Sequence, residues 1–295
     1  MPEIGNKIQI TADIDMIDET FDVSQSENYH LSIQIEQFNV TFCVLNTVIK
    51  KYIVLRSYVI PKIDVLSVFD AISFVNECKS FFDNDEMLRL KYKSSSALWV
   101  SPRCTLVPEN LFDNDETDAF MTFNNGVVDD EHIMQNHIKA AKLYNVFSYP
   151  KSLTAFMKEY QPNIRFFHHA TPFIKSIISD TASSGKVIMA VYYYSDNMDV
   201  ITVQNGKLLF YNTFQTSTVN DMVYYITLVS NVLKIDMPST KLMLLGNDKQ
   251  KTELFENYMN RVVVCEPLSV VTYSHYISES FRKNFINLFN LHGCE

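Results

Sequence analysis

The chain has 295 residues, of which 47% are hydrophobic and 20% charged, and its formal net charge is -9. That length suits two modest domains, each with enough apolar material for its own core. The acidic balance withholds the electrostatic term that drives nucleic-acid binding and no long basic run compensates, so no nucleic acid is expected as a partner.

Residues 1–27 are polar and acidic and read as a loosely held lead-in, with one short strand near Ile8–Ile10. From residue 28 the pattern changes. Leu31, Ile33 and Ile35 alternate with Ser32, Gln34 and Glu36, and an apolar run follows from Val40 to Leu45, which predicts strand, tight turn and strand. A third strand is expected over Tyr52–Ile60, broken by Pro61. Asp64 is placed to cap a helix whose apolar face runs from Val65 through Ile72 and Val75 to Cys78, ending near Phe82. Strands are expected at Leu88–Tyr92 and Ala97–Val107, and Pro108-Glu109 reads as a helix start. The acidic stretch from Asp113 to Asp130 reads as an exposed loop, followed by strands at His132–Ile138 and Ala141–Phe147 and a helix opened by Pro150 and stopped by Gln161-Pro162-Asn163. This first lobe spans 28–162.

The second lobe, 163–295, restarts the scheme. It opens with a short strand at Ile164–Phe167 and a helix from Thr171-Pro172 to about Ser183. Strands follow at Lys186–Tyr194, Met198–Gln204 and Lys207–Thr213, the last two joined by Asn205-Gly206, a strong hairpin signal. A helix over Asp221–Leu233, a strand over Lys241–Leu245, a helix over Lys249–Asn260, a strand over Arg261–Cys265 and a closing helix over Ile277–Leu291 complete it. Each half thus repeats three meandering strands, a helix and a further strand, which makes the fold α/β with mixed sheets.

Five cysteines, widely spaced and without a CxxC pair, read as free thiols in a reducing compartment. The N-terminus lacks the basic and apolar regions of a signal peptide, and no apolar run approaches a membrane span, so a cytoplasmic location is expected. Glycine numbers only 6, and phosphate-cradling loops need it because a Cβ keeps backbone away from a phosphate. No metal site or cofactor is expected. His168-His169 sit on neighbouring strand positions and should face opposite ways, as should His132 and His137. The run from Asp113 to Asp118 lacks the glycine and glutamate of a calcium loop.

A duplicated β-β-β-α-β-α unit, the ribonuclease-H-like lobe, resembles the plan of the actin-like ATPase superfamily. LSIQIEQFNVTFCVLN resembles that family's first phosphate hairpin, and VIMAVYYYSDNMDVITVQNGKLLFYNTF its second. The chain as a whole resembles a family of uncharacterised Bacteroidetes proteins, a domain of unknown function with an actin-like fold, through YHLSIQIEQFNVTFCVLN, CTLVPENLF and NVFSYPKSL. In the superfamily, acidic glycine-rich turns organise Mg²⁺ and wrap the phosphates. The resemblance sets Gln34 at the first aspartate position and Glu36 at the glycine. In the second turn it sets Tyr192 at the aspartate and Tyr194, Ser195 and Asp196 at the glycines, while Gly246 and Asn247 stand for the adenosine-side glycine pair.

These departures argue against ATP hydrolysis and for a non-catalytic scaffold or regulatory module with an unidentified protein partner, in effect a pseudo-ATPase. The alternative is a divergent nucleotide-binding enzyme with relocated metal ligands, for which Glu36, Asp196 and Asp199 are the carboxylates to follow. A ribonuclease-H-like nuclease would need converging carboxylates that neither half offers on its first strand.

Overall fold

The computed structural model describes residues 10–60, 70–126, 129–181, 185–237, 240–246, 249–258, 261–267 and 270–294. The first of two large sheets is built on a meander of β2 (Tyr29–Glu36), β3 (Asn39–Asn46) and β4 (Lys51–Val59), all antiparallel. Its leading edge is β1 (Ala12–Ile17), antiparallel to β4, so the lead-in is part of the sheet; the strand expected near Ile8–Ile10 falls, at residues 8 and 9, outside the described residues. Asp13 and Asp15 of β1 are exposed, which keeps the edge from pairing with other strands.

On the far side, β5 (Ser94–Trp99) runs parallel to β2, and β9 (Arg165–His168) runs parallel to β5. The strand read as restarting the scheme at 164–167 therefore closes the first sheet. Between β4 and β5, helix α1 (Ala71–Phe82) is capped by Asp70, whose carboxylate accepts from the Ile72 amide at 3.0 Å. Asp64, the expected cap, lies outside the described residues, and Ile72 turns outward at 61% exposure. Leu88–Tyr92 is not a strand: Asp85 caps a single turn, α2 (Glu86–Arg89), because its buried carboxylate accepts the Met87 amide at 2.9 Å.

A small three-stranded sheet is inserted between β5 and β9. It consists of β6 (Cys104–Pro108), β7 (Glu131–Ile138) and β8 (Leu143–Pro150), in the order β6-β8-β7. Pro108 ends a strand and starts no helix. The acidic stretch is not a loop throughout, since Thr117–Asn125 forms α3, which buries Met121 on this sheet. Helix α4 (Lys151–Tyr160) then packs Leu153, Phe156 and Met157 into the first core beside α1.

Helix α5 (Ala170–Thr181) leads to the second sheet: β10 (Val187–Tyr194), β11 (Asn197–Gln204), β12 (Lys207–Gln215), β13 (Lys241–Leu245) and β14 (Val262–Val264), in the order β12-β11-β10-β13-β14. The β10–β11–β12 meander is antiparallel, and β13 and β14 run parallel to β10. The first sheet runs β4-β3-β2-β5-β9 in the same sense, so the duplication expected from the sequence is one of topology. Asn205 and Gly206 both take positive φ, 52° and 70°, as a type I′ hairpin turn requires. Helix α6 (Val219–Leu233) opens on a capping box between Thr218 and Asp221, and α7 (Lys249–Tyr258) follows β13.

The final segment returns to the first sheet. Strand β15 (Thr272–Tyr273) pairs in parallel with Lys51 and Tyr52 of β4. The expected closing helix is two short ones, α8 (Glu279–Asn284) and α9 (Ile286–Leu291). All six residues of α9 are buried; Leu288 and Phe289 join Cys43, Leu45, Tyr52 and Leu55 in a common cluster. No helix among the described residues is long and apolar enough to cross a membrane.

Candidate functional site

Strand alternation puts Leu31, Ile33 and Ile35 of β2 into the first core. The polar partners His30, Ser32 and Gln34 would be solvent-facing in a one-sided sheet, yet all three are buried. Gln34 Nε2 donates to Glu36 Oε1 at 2.5 Å, while Gln34 Oε1 is buried without a partner. Burial pushes the Glu36 carboxyl pKa up, opposed by the Gln34 hydrogen bond and by nearby His169.

The second hairpin meets this edge. Tyr192 and Tyr194, two apart on β10, share the face that packs on α5, with ring centroids 5.2 Å apart and stacked. His169, at the junction of β9 and α5, lies 5.3 Å from the Tyr192 ring and 4.6 Å from that of Tyr194. Burial, followed by the Glu36 charge, lifts the Tyr192 hydroxyl well above its usual range.

At the centre is Asp199 of β11, fully buried. Its Oδ1 accepts from the Tyr194 hydroxyl at 3.0 Å and the Thr213 hydroxyl at 2.7 Å; its Oδ2 accepts from Tyr211 at 2.7 Å and from His169 Nε2 at 2.6 Å. An ionised carboxylate offers about four acceptor sites, so these donors saturate it. Asp199 therefore has no lone pair left for a metal ion or a proton transfer unless the cluster is broken. The Tyr194 hydroxyl, whose one proton goes to Asp199, also lies 3.4 Å from the Ser101 carbonyl, and His168 Nε2 donates to that carbonyl at 2.8 Å. Burial, and then the neighbouring His169, hold the His168 pKa well below its usual value.

The two histidines do not point apart as expected. Residue 169 has left the strand, and the rings come within 4.3 Å. His132 and His137 do lie on one strand; His137 stacks on Tyr144 and reaches Glu109 at 3.2 Å.

Of the positions singled out in the sequence, Gln34, Glu36, Tyr192 and Tyr194 gather around this cluster. Ser195 and Asp196 form the exposed tip of the second hairpin, with Ser195 at φ 46°. Gly246, at φ +94°, belongs to the opposite face of the sheet, where a Cβ would lie 3.4 Å from the Tyr193 hydroxyl. Asn247 lies outside the described residues. Nothing in the sequence points to Tyr211 or Thr213, and Cys104 reads there only as a free thiol; its Sγ lies 3.8 Å from the Tyr211 hydroxyl. Burial, reinforced by the Asp199 charge, raises the Cys104 thiol pKa far above the range of a reactive thiolate.

Asp18, Glu19 and His275 are the one group among the described residues whose ligand atoms approach closely enough to share a metal ion. Its carboxylates are already engaged: Lys51 Nζ lies 2.7 Å from Asp18, and Tyr276 donates to Glu19 at 2.6 Å. Burial opposes ionisation of Asp18, but hydrogen bonds from Lys51, Thr20 and Ser274 outweigh it and hold the carboxyl pKa far below the usual range. A depressed carboxyl contributes stability that is present above its unfolded pKa, about 3.9, and is lost as pH falls through the folded value. Acid titration of unfolding should therefore fall more steeply below about pH 4 in the wild type than in Asp18→Asn. Equal acid slopes would remove Asp18 as the cause.

The family described as "Protein of unknown function (DUF3822)" matches residues 18–261. The chain belongs to the DUF3822 family. This DUF3822 chain is similar in structure to a Bacteroides thetaiotaomicron protein with actin-like ATPase fold and unknown function. That likeness has 22% identity, covers 94% of this chain and 100% of the other, and has a TM-score of 0.78. It is also similar to the PilM-PilN type IV pilus biogenesis complex, at 9% identity over 90% of this chain and 98% of that one, with a TM-score of 0.57. No curated protein matches the sequence. With the repeated sheet order above, these likenesses establish the actin-like ATPase fold for this DUF3822 member.

Proposed function

We propose that this protein is a non-catalytic member of the actin-like fold, a pseudo-ATPase acting as a scaffold or regulator through protein contacts. The saturated Asp199 carries the reading, because the buried carboxylate nearest the second hairpin is held by His169, Tyr194, Tyr211 and Thr213. Magnesium-nucleotide chemistry requires carboxylates that present free lone pairs to the ion and its waters. On this reading Gln34, Glu36, Tyr192, Tyr194, Ser195, Asp196, Gly246 and Asn247 are vacated nucleotide positions. The mutual packing of Tyr192, Tyr194 and His169, with Glu36 beside them, supports this reading, since it leaves side chains where the resemblance sets a glycine turn. Protein partnership is further suggested by PilM, which shares the fold and occurs in a complex with PilN. The alternative, a divergent nucleotide-dependent enzyme with relocated ligands, gains nothing from Asp199, whose lone pairs are spent, or from Asp196, which sits at an exposed turn.

Calorimetric titration with ATP-Mg²⁺, paired with a phosphate-release assay, tests this. The expected result is no saturable heat up to about 1 mM nucleotide and no phosphate above the buffer rate. Micromolar binding with turnover would overturn the proposal.

A further inference from the structure

A cavity of about 560 Å³ opens between β15 and α8, away from the Asp199 cluster. One wall is the Tyr273 ring, fixed by stacking on Tyr52 at 5.4 Å and by the edge contact with Phe289 at 5.2 Å. Arg282 of α8 lies over that ring, its guanidinium carbon 5.2 Å from the centroid. Arg282 Nε is buried with no hydrogen-bond partner, as is the Tyr273 hydroxyl. Among the described residues this guanidinium makes no ion pair and no hydrogen bond. The adjacent cation is occupied, since Lys283 pairs with Glu266 at 3.0 Å and also with Glu279. Glu266 is itself in the cavity wall, and Lys283, shared between it and Glu279, leaves one carboxylate charge to balance Arg282, which makes no ion-pair contact of its own.

A half-buried guanidinium that lies over an aromatic ring and makes no hydrogen bond or ion pair keeps its donors for a planar oxyanion. One guanidinium in a wall shared with Glu266 favours one negative charge over a polyanion. The remaining wall is mixed: Val271, Ile277 and Pro267 are apolar, and Thr272 and Ser278 bring hydroxyls. We propose that this cavity binds a small monocarboxylate carrying a short apolar group, with Arg282 as the carboxylate-binding residue. This site is independent of the reading of the nucleotide positions and stands or falls separately from it.

The test uses the full chain and three probes: butyrate, its neutral isostere butyramide, and inorganic phosphate. Calorimetry should give saturable binding of butyrate in about the millimolar range, as one charge-assisted fork in an open site would provide. Butyramide should give none, and phosphate should bind more weakly than butyrate. Arg282→Gln, shown to be folded by circular dichroism, should weaken butyrate about tenfold or more, and Arg282→Lys should fall between the two. The butyrate-butyramide comparison in the wild type keeps the test decisive should the Gln variant not fold. Equal binding of butyrate and butyramide, tighter binding of phosphate, no saturable butyrate binding, or unchanged affinity in a folded Arg282→Gln would each overturn the proposal.

Discussion

Replacing Asp199 with alanine is expected to lower the stability of the protein by about 3–5 kcal/mol. The substitution removes a carboxylate with no solvent exposure and takes the acceptor from four donors: His169 is fully buried, Tyr194 keeps only its 3.4 Å contact with the Ser101 carbonyl, and Tyr211 and Thr213 are half-buried. The cost arises chiefly from those stranded groups, because a buried donor without an acceptor forfeits its full hydration. Asp199→Asn should cost less, since one amide oxygen still accepts while the amide nitrogen opposes the two donors on its side. Pairing Asp199→Ala with His169→Phe should return part of the loss by removing one stranded donor and filling volume. Urea titration reads the effect as a lower midpoint at an unchanged slope. A loss under about 1 kcal/mol for the alanine variant would mean that the network is not what holds this region together.

Phe289→Ala is expected to cost a similar amount, about 3–5 kcal/mol. Phe289 is 4% exposed and packs its ring against Tyr52 at 4.8 Å and Tyr273 at 5.2 Å. Its neighbours in that cluster come from four strands of the first sheet, β1, β3, β4 and β15, which hold a fixed geometry and cannot collapse into the space. The Tyr52 hydroxyl bonds the backbone carbonyl of residue 289, at 2.5 Å, so that link survives and the loss reports packing. A thermal midpoint within a degree or two of wild type would show that the segment contributes little to the first sheet.

What could be read from the sequence was governed by range. The meanders were legible because alternation and turn chemistry are local: Asn205-Gly206 can supply two positive φ angles wherever it occurs, and Leu31, Ile33 and Ile35 name their own face. The helix at Leu88 was misread because its apolar and basic residues alternate like a strand, while the decisive signal is one carboxylate, that of Asp85, closing back on the Met87 amide. The sheet to which Arg165–His168 belongs could not be read at all. Four residues carry no information about which edge they will join, and the inserted small sheet had already separated them from β5.

The candidate site was half legible. The hairpin resemblance drew attention to Gln34, Glu36, Tyr192 and Tyr194, and these do meet. Strand alternation does not extend to His168 and His169 because the strand ends between them, which frees both rings to turn inward. Tyr211 and Thr213 reach Asp199 only because β12 is in register with β11, where Asp199 faces Thr213. A one-residue slip would send both side chains to the opposite face.

The late return of the chain to β4 bears on the order in which the molecule can form. Tyr52 and the carbonyl it bonds are 237 residues apart. At a ribosomal rate of about 5–20 residues per second, the face formed by Cys43, Leu45 and Leu55 waits roughly 12–47 s for its cover. During that interval an apolar surface on a nearly finished sheet is open to other nascent chains, and the segment around Phe289 that shields it has yet to be made. Productive folding should therefore depend on chaperone supply and on synthesis rate more steeply than the stability of the finished protein would suggest.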